Sequence, residues 1–139
     1  MFDRCLYFNT NHLARTVGKI WRDAFDQVGL APAHAYLIRL VLQQPGIAQR
    51  EISNELNLEK STITRFIDKM VDQGYLQRQS THSSNTKAQN IFPTNKAKNI
   101  SDQLEEIGNS LFEKVGNTVG ASTRDQLVKN IKKTTTELL

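Results

Sequence analysis

The repeat of apolar residues changes period between residues 60 and 92, and this change limits the folds open to the chain. Residues 60–73 carry apolar side chains at helical spacing, which places them on one side of a helix: Ile63, Phe66, Ile67 and Met70. The segments "YLQRQ" (75–79) and "AQNIF" (88–92) instead have the composition of short strands, and the polar run "STHSSNTK" separates them. The sequence therefore predicts a helix followed by a two-stranded hairpin.

A second short helix is predicted directly before this unit, over residues 49–56, with Ile52 and Leu56 facing inward. Two short helices followed by a hairpin are the elements of a winged helix-turn-helix, in which the second helix enters the DNA major groove. The predicted fold is therefore mainly α with a small β-hairpin wing, an α+β arrangement.

Longer helices are predicted on both sides of the winged helix. Residues 10–28 form an amphipathic helix, and residues 32–44 contain "YLIRLVL", which is apolar nearly all round and belongs at the centre of the domain. After the hairpin, an apolar stripe over residues 97–115 predicts one helix, and Ser122 is the predicted N-cap of a last helix. A chain of 139 residues makes one domain of this kind.

Positive charge is concentrated in one part of the chain. Residues 60–98 carry seven Lys or Arg and two Asp or Glu, a balance of +5 in a chain whose net charge is +4. Such a stretch is expected where a protein meets a polyanion, although a solvated basic face would give the same pattern.

The outward side of the 60–73 helix carries hydroxyl groups and cations. Ser and Thr can bond phosphates or base edges, and Arg65 can present two parallel donors to guanine O6 and N7. An ordinary surface helix with capping hydroxyls at its start is the alternative. The predicted DNA-binding residues are Gln49, Lys60, Ser61, Thr62, Thr64, Arg65, Lys69, Arg78 and Lys87.

The running pattern from "LAPAHAYLIRLVLQQPGIAQREISNELNLEKSTITRFIDKMVDQGYLQR" to "FPTNKAK" resembles the MarR family of bacterial winged-helix transcription regulators. The most specific part is "STITRFIDKMVDQGYLQR". The resemblance implies one MarR-like domain over residues 1–139, with a DNA-binding lobe at 32–96 and dimerisation helices at 1–31 and 97–139. It further implies a homodimer that binds a pseudo-palindromic operator on double-stranded DNA, usually as a repressor.

The predicted wing departs from the family pattern at its tip. Family wings usually carry Asp-Arg-Arg, whereas this chain has Asn85, Thr86 and Lys87 at those places. The usual bond from the wing Asp to the recognition-helix Arg becomes at best a neutral hydrogen bond between Asn85 and Arg65. Lys87 can meet a phosphate but cannot donate two parallel bonds as Arg does, so we expect weaker wing contacts.

The resemblance also implies an effector pocket between the dimerisation helices and the DNA-binding lobe. Its lining would include His12, Arg15, Trp21 and Tyr36, and a small aromatic or phenolic compound would suit it. A subgroup of the family senses peroxides through a cysteine near the start of the first helix. Cys5 falls about two residues before that register, so an incidental cysteine is the favoured interpretation and thiol sensing the alternative.

Several other kinds of function find no support in the residues. No run of about 18 apolar residues exists, so no membrane partner is expected, and the single cysteine fits the reducing cytoplasm. The three histidines share no metal-ligand spacing, and no catalytic constellation or phosphate-binding glycine loop is present, so neither enzymatic activity nor a cofactor is predicted. A winged helix used only for protein interaction, or as an accessory domain of an enzyme, remains open as an alternative.

Overall fold

The computed structural model describes residues 1–80 and 89–139 and, within them, contains seven α-helices and three short strands. The helices are α1 (Leu6–Phe25), α2 (Pro32–Gln43), α3 (Gln49–Leu56), α4 (Lys60–Asp72), α5 (Asn95–Asn99), α6 (Ser101–Val119) and α7 (Ala121–Leu138). The strands are β1 (Ile47–Ala48), β2 (Leu76–Ser80) and β3 (Gln89–Pro93), and a short 3₁₀ turn, Asp26–Val28, follows α1. The predicted winged helix-turn-helix, mainly helical with a small antiparallel sheet, is confirmed.

The sheet has the order β1-β3-β2, and both pairings are antiparallel. Ile91 in the central strand pairs with Ile47 on one side and with Arg78 on the other. The two hairpin strands lie within one residue of the predicted segments. Strand β1 was not predicted, because two residues carry no periodicity that a sequence pattern can detect.

The hydrophobic core lies beneath α4 and fixes its orientation. Helix α2 contributes Leu37, Ile38 and Val41, all fully buried, as its apolar sequence predicts. The inward positions of α4 are equally buried at Ile63, Ile67 and Met70, while Phe66 is half-buried. Each such side chain stabilises the fold by about 1.5–3 kcal/mol, which holds one face of α4 inward and leaves the other outside.

Glycine and proline set the ends of the helices around this core. Gly29 follows the 3₁₀ turn with φ of 67°, and Gly74 follows α4 with φ of 83°, both in the left-handed region that favours glycine. Pro32 occupies the first turn of α2. Helix α1 begins earlier than predicted, at Leu6, and ends at Phe25 rather than at residue 28.

The predicted single helix over residues 97–115 is wrong, because the chain forms the short helix α5 and then restarts at Ser101. Thr94 caps α5 by accepting a hydrogen bond from the Ala97 amide at 3.3 Å, and its hydroxyl donates to the Gly74 carbonyl at 2.6 Å. Lys96 Nζ donates to the Gln73 carbonyl at 2.7 Å. The segment "PTNKAK" therefore ties the chain after the sheet to the end of α4.

The chain divides into two compact units, Met1–Glu105 and Glu106–Leu139. In the second unit, Arg124 of α7 lies with its guanidinium carbon 3.5 Å from the Phe112 ring centroid and donates to the Phe112 carbonyl at 3.1 Å. The prediction of Ser122 as N-cap is wrong, because α7 begins at Ala121 and Gly120 takes the cap position without a side-chain bond.

Candidate DNA-binding surface

Helix α4 carries one exposed side that is polar throughout, which we name the polar face of α4. The predicted residues that are exposed on it are Lys60, Ser61, Thr64, Arg65 and Lys69, and the carboxylates Asp68 and Asp72 of the same helix are also exposed. Thr62, the remaining predicted member of this helix, is half-buried. Since the apolar residues of α4 fill the core beneath, the structure brings these predicted residues together on one outward surface.

The start of α4 is open to an anion. Glu59 occupies the N-cap position but makes no side-chain capping bond, so its carboxylate does not satisfy the first amides of the helix. Those amide groups and the positive end of the helix dipole together favour a negative group at this end. A phosphate beside Ser61 would meet both backbone and hydroxyl donors.

Helices α3 and α4 are joined by a polar contact between two of the predicted DNA-binding residues. Gln49 Nε2 donates to Thr64 Oγ1 at 2.7 Å, and the Thr64 hydroxyl donates to the Lys60 carbonyl at 3.0 Å. Gln49 is half-buried in the first turn of α3, whereas Thr64 is exposed in the second turn of α4. These contacts link the two helices at the edge of the polar face.

Arg65 stands at the middle of the polar face. Its guanidinium carbon lies 5.8 Å from the Phe66 ring centroid, and no ion pair involves Arg65 within residues 1–80 and 89–139. The Phe66 ring in turn meets His34 of α2 edge-on, with ring centroids 4.7 Å apart. Arg65 is therefore exposed and free of ion pairs among the described residues, and the ring of Phe66 beside it packs against His34.

Arg78, predicted to contact DNA, is engaged inside the domain. Its Nη2 donates to Asp68 Oδ1, which joins strand β2 to helix α4, and 26% of its side chain is exposed. Because Asp68 lies one turn after Arg65 on the helix, Arg78 also neutralises the carboxylate that could otherwise attract Arg65. The sequence predicts no role for Asp68, because the ten-residue gap to Arg78 gives no local signal of their pairing.

His34 lies beside the same helix. Partial burial, and secondarily the positive charge of Lys69, lower the pKa of His34 from its usual value of 6.5. The neutral form of the imidazole is therefore favoured next to Phe66, and its protonation would place a second cation near Lys69.

The tip of the wing falls outside the described residues. Lys87, predicted to meet a phosphate, belongs to this segment, as do Asn85, which the sequence pairs with Arg65, and Thr86. Their assignments remain predictions from the sequence.

The predicted effector residues separate into two groups. Trp21 Nε1 donates to the Tyr36 hydroxyl at 3.1 Å, and the Tyr36 ring lies 5.8 Å from that of Phe25, centroid to centroid. The Arg39 guanidinium carbon stands 5.2 Å from the Tyr36 centroid. His12 and Arg15 are exposed on α1, and no hydrogen bond connects them to the Trp21–Tyr36 pair in the described part of the chain.

Cys5 has a structural position at the start of α1. It is the N-cap residue, its Sγ accepts a hydrogen bond from the Phe8 amide at 3.5 Å, and the thiol is free. Tyr7, which lies two residues after Cys5, has 79% of its surface exposed. This geometry assigns Cys5 a capping contact.

Residues 1–80 and 89–139 contain no group of three or more His, Cys, Asp or Glu that could hold a metal ion. No helix there combines the length and the apolar character needed to span a membrane.

The fold and the polar face define a winged helix-turn-helix protein. Residues 30–85 match the family model described as "MarR family". The uncharacterized HTH-type transcriptional regulator YybA of Bacillus subtilis (strain 168) is 29% identical over 97 residues, which cover 69% of this chain and 63% of YybA. The matched part of the chain thus spans less than two thirds of that relative.

Solved structures show the same fold. A MarR protein from Peptoclostridium difficile superposes with a TM-score of 0.82 at 21% identity, covering 98% of this chain and 88% of the other. The transcriptional repressor CouR bound to a 23-mer DNA duplex gives a TM-score of 0.86 at 17% identity, with coverage of 96% and 94%. The resemblance to the MarR family seen in the sequence is therefore confirmed over residues 30–85.

Proposed function

We propose that this protein is a sequence-specific DNA-binding transcription regulator that binds a pseudo-palindromic operator as a homodimer and represses transcription. The observation that carries the proposal is the polar face of α4, where Arg65, Ser61 and Lys69 are exposed above the fully buried Ile63 and Ile67. Cations and hydroxyls on the second helix of a helix-turn-helix are the groups that contact phosphates and base edges.

Support for the DNA partner also comes from charge and from the comparison. The +5 balance of residues 60–98 is shared by α4, the hairpin segment and α5. CouR, whose fold this chain shares, has been solved as a transcriptional repressor bound to a DNA duplex. A protein-interaction module would not need cations gathered on this one helix face.

Support for the homodimer comes from the apolar side chains that the single chain leaves exposed. Of the twenty residues of α1, only Phe25 is buried, and Leu13 and Val17 are 39% and 37% exposed. Helix α7 buries no residue, and Leu127, Val128 and Ile131 are between 42% and 53% exposed. Burying such faces between two copies would recover hydrophobic free energy that one chain alone does not gain.

A randomised duplex pool tests the proposal without knowledge of the operator. The wild-type protein should enrich a two-fold symmetric sequence with half-sites about 34–36 Å apart, one helical turn of DNA. Arg65→Ala should lose that enrichment while its circular dichroism stays the same. If the wild-type protein enriches no sequence, or Arg65→Ala enriches the same one, the proposal fails.

A small aromatic effector is a second part of the proposal, favoured by the Trp21–Tyr36 contact. The Trp21 and Tyr36 side chains, joined by this 3.1 Å hydrogen bond and with Tyr36 37% exposed, offer an aromatic stacking surface and a hydroxyl. The neighbouring Arg39 guanidinium already pairs with the Glu105 carboxylate at 3.2 Å. CouR from Rhodococcus jostii RHA1, 15% identical with a TM-score of 0.78 over 95% of this chain and 92% of its own, has been solved with p-coumaroyl-CoA.

The effector proposal has a direct optical test, because Trp21 is the single tryptophan of the chain. Adding p-coumaroyl-CoA or p-coumarate should quench or shift tryptophan fluorescence in a saturable way, after correction for absorbance by the compound. Tyr36→Phe, which removes only the hydroxyl, should weaken that response. An unchanged spectrum with both compounds would reject a phenolic effector at this pair.

A further inference from the structure

We propose that Gln49 is a positioning residue for base recognition, which holds the Thr64 hydroxyl so that Thr64 accepts a hydrogen bond from a base but does not donate one. The inference rests on the proposed DNA-binding function and deepens it, because it states what kind of base edge the second turn of α4 selects. Its basis is the chain of hydrogen bonds from Gln49 through Thr64 to the Lys60 carbonyl.

The hydrogen-bond capacity of Thr64 is limited. A hydroxyl has one hydrogen and two lone pairs. The hydrogen is directed to the Lys60 carbonyl at 3.0 Å, and one lone pair receives the Gln49 amide hydrogen at 2.7 Å. One lone pair and the side-chain methyl group remain for a ligand.

The remaining groups select among base edges in the major groove. Adenine and cytosine present an amino group there that the free lone pair of Thr64 can accept, and thymine presents a methyl group for apolar contact. Guanine presents only the acceptors O6 and N7, which require a donor. Thr64 should therefore reject guanine, in contrast to Arg65, whose guanidinium donates in pairs and suits guanine.

Gln49 is needed for this selection because Thr64 is exposed and its hydroxyl could otherwise rotate. The Gln49 amide comes from a different helix, so it fixes the Thr64 side chain from outside α4. Since Gln49 is neutral, its removal should change base preference and leave the salt dependence of DNA binding unchanged.

The experiment uses the duplex enriched from the randomised pool and its single-base substitutions. Thr64→Val, which keeps the methyl group and loses the hydroxyl, identifies the base pair that Thr64 contacts. Gln49→Ala should relax discrimination against guanine at that same pair by about two- to tenfold, the range of one neutral hydrogen bond. In the Thr64→Val background, Gln49→Ala should have no further effect on base preference.

Controls separate positioning from stability and from phosphate contact. Asn54→Ala removes a different neutral amide of α3, one that is exposed, and should leave base preference unchanged. Thr64→Ser keeps the hydroxyl and both hydrogen bonds, so it should still reject guanine even if Gln49→Ala does not fold. The salt dependence of Gln49→Ala should match that of the wild type.

Each contrary result has its own meaning. The inference is wrong if Gln49→Ala leaves base preference unchanged, if it weakens all sequences equally, or if Thr64→Ser accepts guanine. It is also wrong if Thr64→Val alters no position of the duplex. A wild-type protein that enriches no sequence would instead reject the proposed function, and this inference with it.

Discussion

Helices α4 and α7 both present a face to solvent, but the two faces have opposite chemistry. Three residues of α4, Ile63, Ile67 and Met70, are fully buried, and its exposed side is polar. Helix α7 buries none of its residues and exposes Leu127 and Ile131.

The contrast shows that the packing of α4 is complete within one chain, whereas that of α7 is not. The orientation of α4 is settled by packing inside the first unit, so its polar face is ready for a ligand of complementary charge. The apolar side chains of α7 gain their hydrophobic free energy only when another surface covers them. In the proposed homodimer, a second copy of the chain would supply such a surface and would also pair two α4 helices for a symmetric DNA site.

The largest effect is expected when charge is placed on the apolar side of α7. Leu127→Glu with Ile131→Glu should abolish the dimer, because four buried side chains at about 1.5 kcal/mol each would be lost across the two chains. Binding to the palindromic duplex should fall by at least about a hundredfold. Sedimentation equilibrium measures the first effect and fluorescence anisotropy the second.

A matched control lies on the same helix. Gln126→Glu with Asn130→Glu adds the same charge at the same spacing, on side chains that bond each other at 3.1 Å and carry no large apolar group. This variant should remain dimeric. Dissociation of both variants, or of neither, would contradict the assignment of α7 to the dimer interface.

The next effect concerns the polar face of α4. Arg65→Ala should cost roughly 1–3 kcal/mol of operator affinity and relax specificity at the guanine it contacts. Arg65→Lys keeps the charge but cannot donate two parallel bonds, so it should preserve the salt dependence and lose the guanine preference. Binding isotherms on single-base variants of the operator measure both. A guanine preference that survives in both variants would remove Arg65 from the interface.

A smaller effect distinguishes two roles for Arg78, an ion pair with Asp68 and a contact with a DNA phosphate. Since its guanidinium bonds Asp68, Arg78→Gln should lower the free energy of unfolding by up to about 1 kcal/mol and leave the log–log salt slope of DNA binding unchanged. Asp68→Asn should lower stability by a similar amount. Urea unfolding and salt titrations provide these values.

The opposite pattern would support the prediction from the sequence that Arg78 contacts DNA. A slope reduced by about 0.9 for each bound chain, with stability unaffected, would mean that Arg78 contacts a phosphate and that its pairing with Asp68 contributes little.

The smallest effect is a dependence of stability on pH through His34. Its pKa is lowered in the folded protein, so the unfolded chain binds more protons as the pH falls. Its contribution to stability is therefore complete above the unfolded pKa of 6.5 and decreases as the pH falls below that value. Urea unfolding should show a smaller loss of stability on acidification in His34→Phe than in the wild type. An equal loss in both proteins would exclude His34 as the cause.

Much of the fold could be predicted because its signals are local. Residues 49–56 and the start of α4 at residue 60 were predicted without error, and Gly29 and Gly74 end their elements with positive φ. The wrong N-cap at Ser122 has a physical reason. Gly120 makes the turn through a backbone conformation with φ of 96°, so no side-chain cap precedes α7.

The candidate site could be predicted only as a set of residues and not as a network. Helical spacing alone places Ser61, Thr64 and Arg65 on one outward side of α4. The bond from Gln49 to Thr64 spans 15 positions, and that from Trp21 to Tyr36 also spans 15. Contacts at such separations depend on how elements pack together, and a single sequence carries no pattern for them.

The number of chains bound to each DNA duplex is the most direct test of the central claim. In that claim, one chain reads half of a symmetric site and a second copy reads the other half. Native mass spectrometry with the enriched palindromic duplex should give two chains per duplex, and a duplex containing one half-site should bind far more weakly. The Leu127→Glu, Ile131→Glu variant should fail to form the two-chain complex. One chain per duplex, with equal affinity for the full and the half site, would contradict the account.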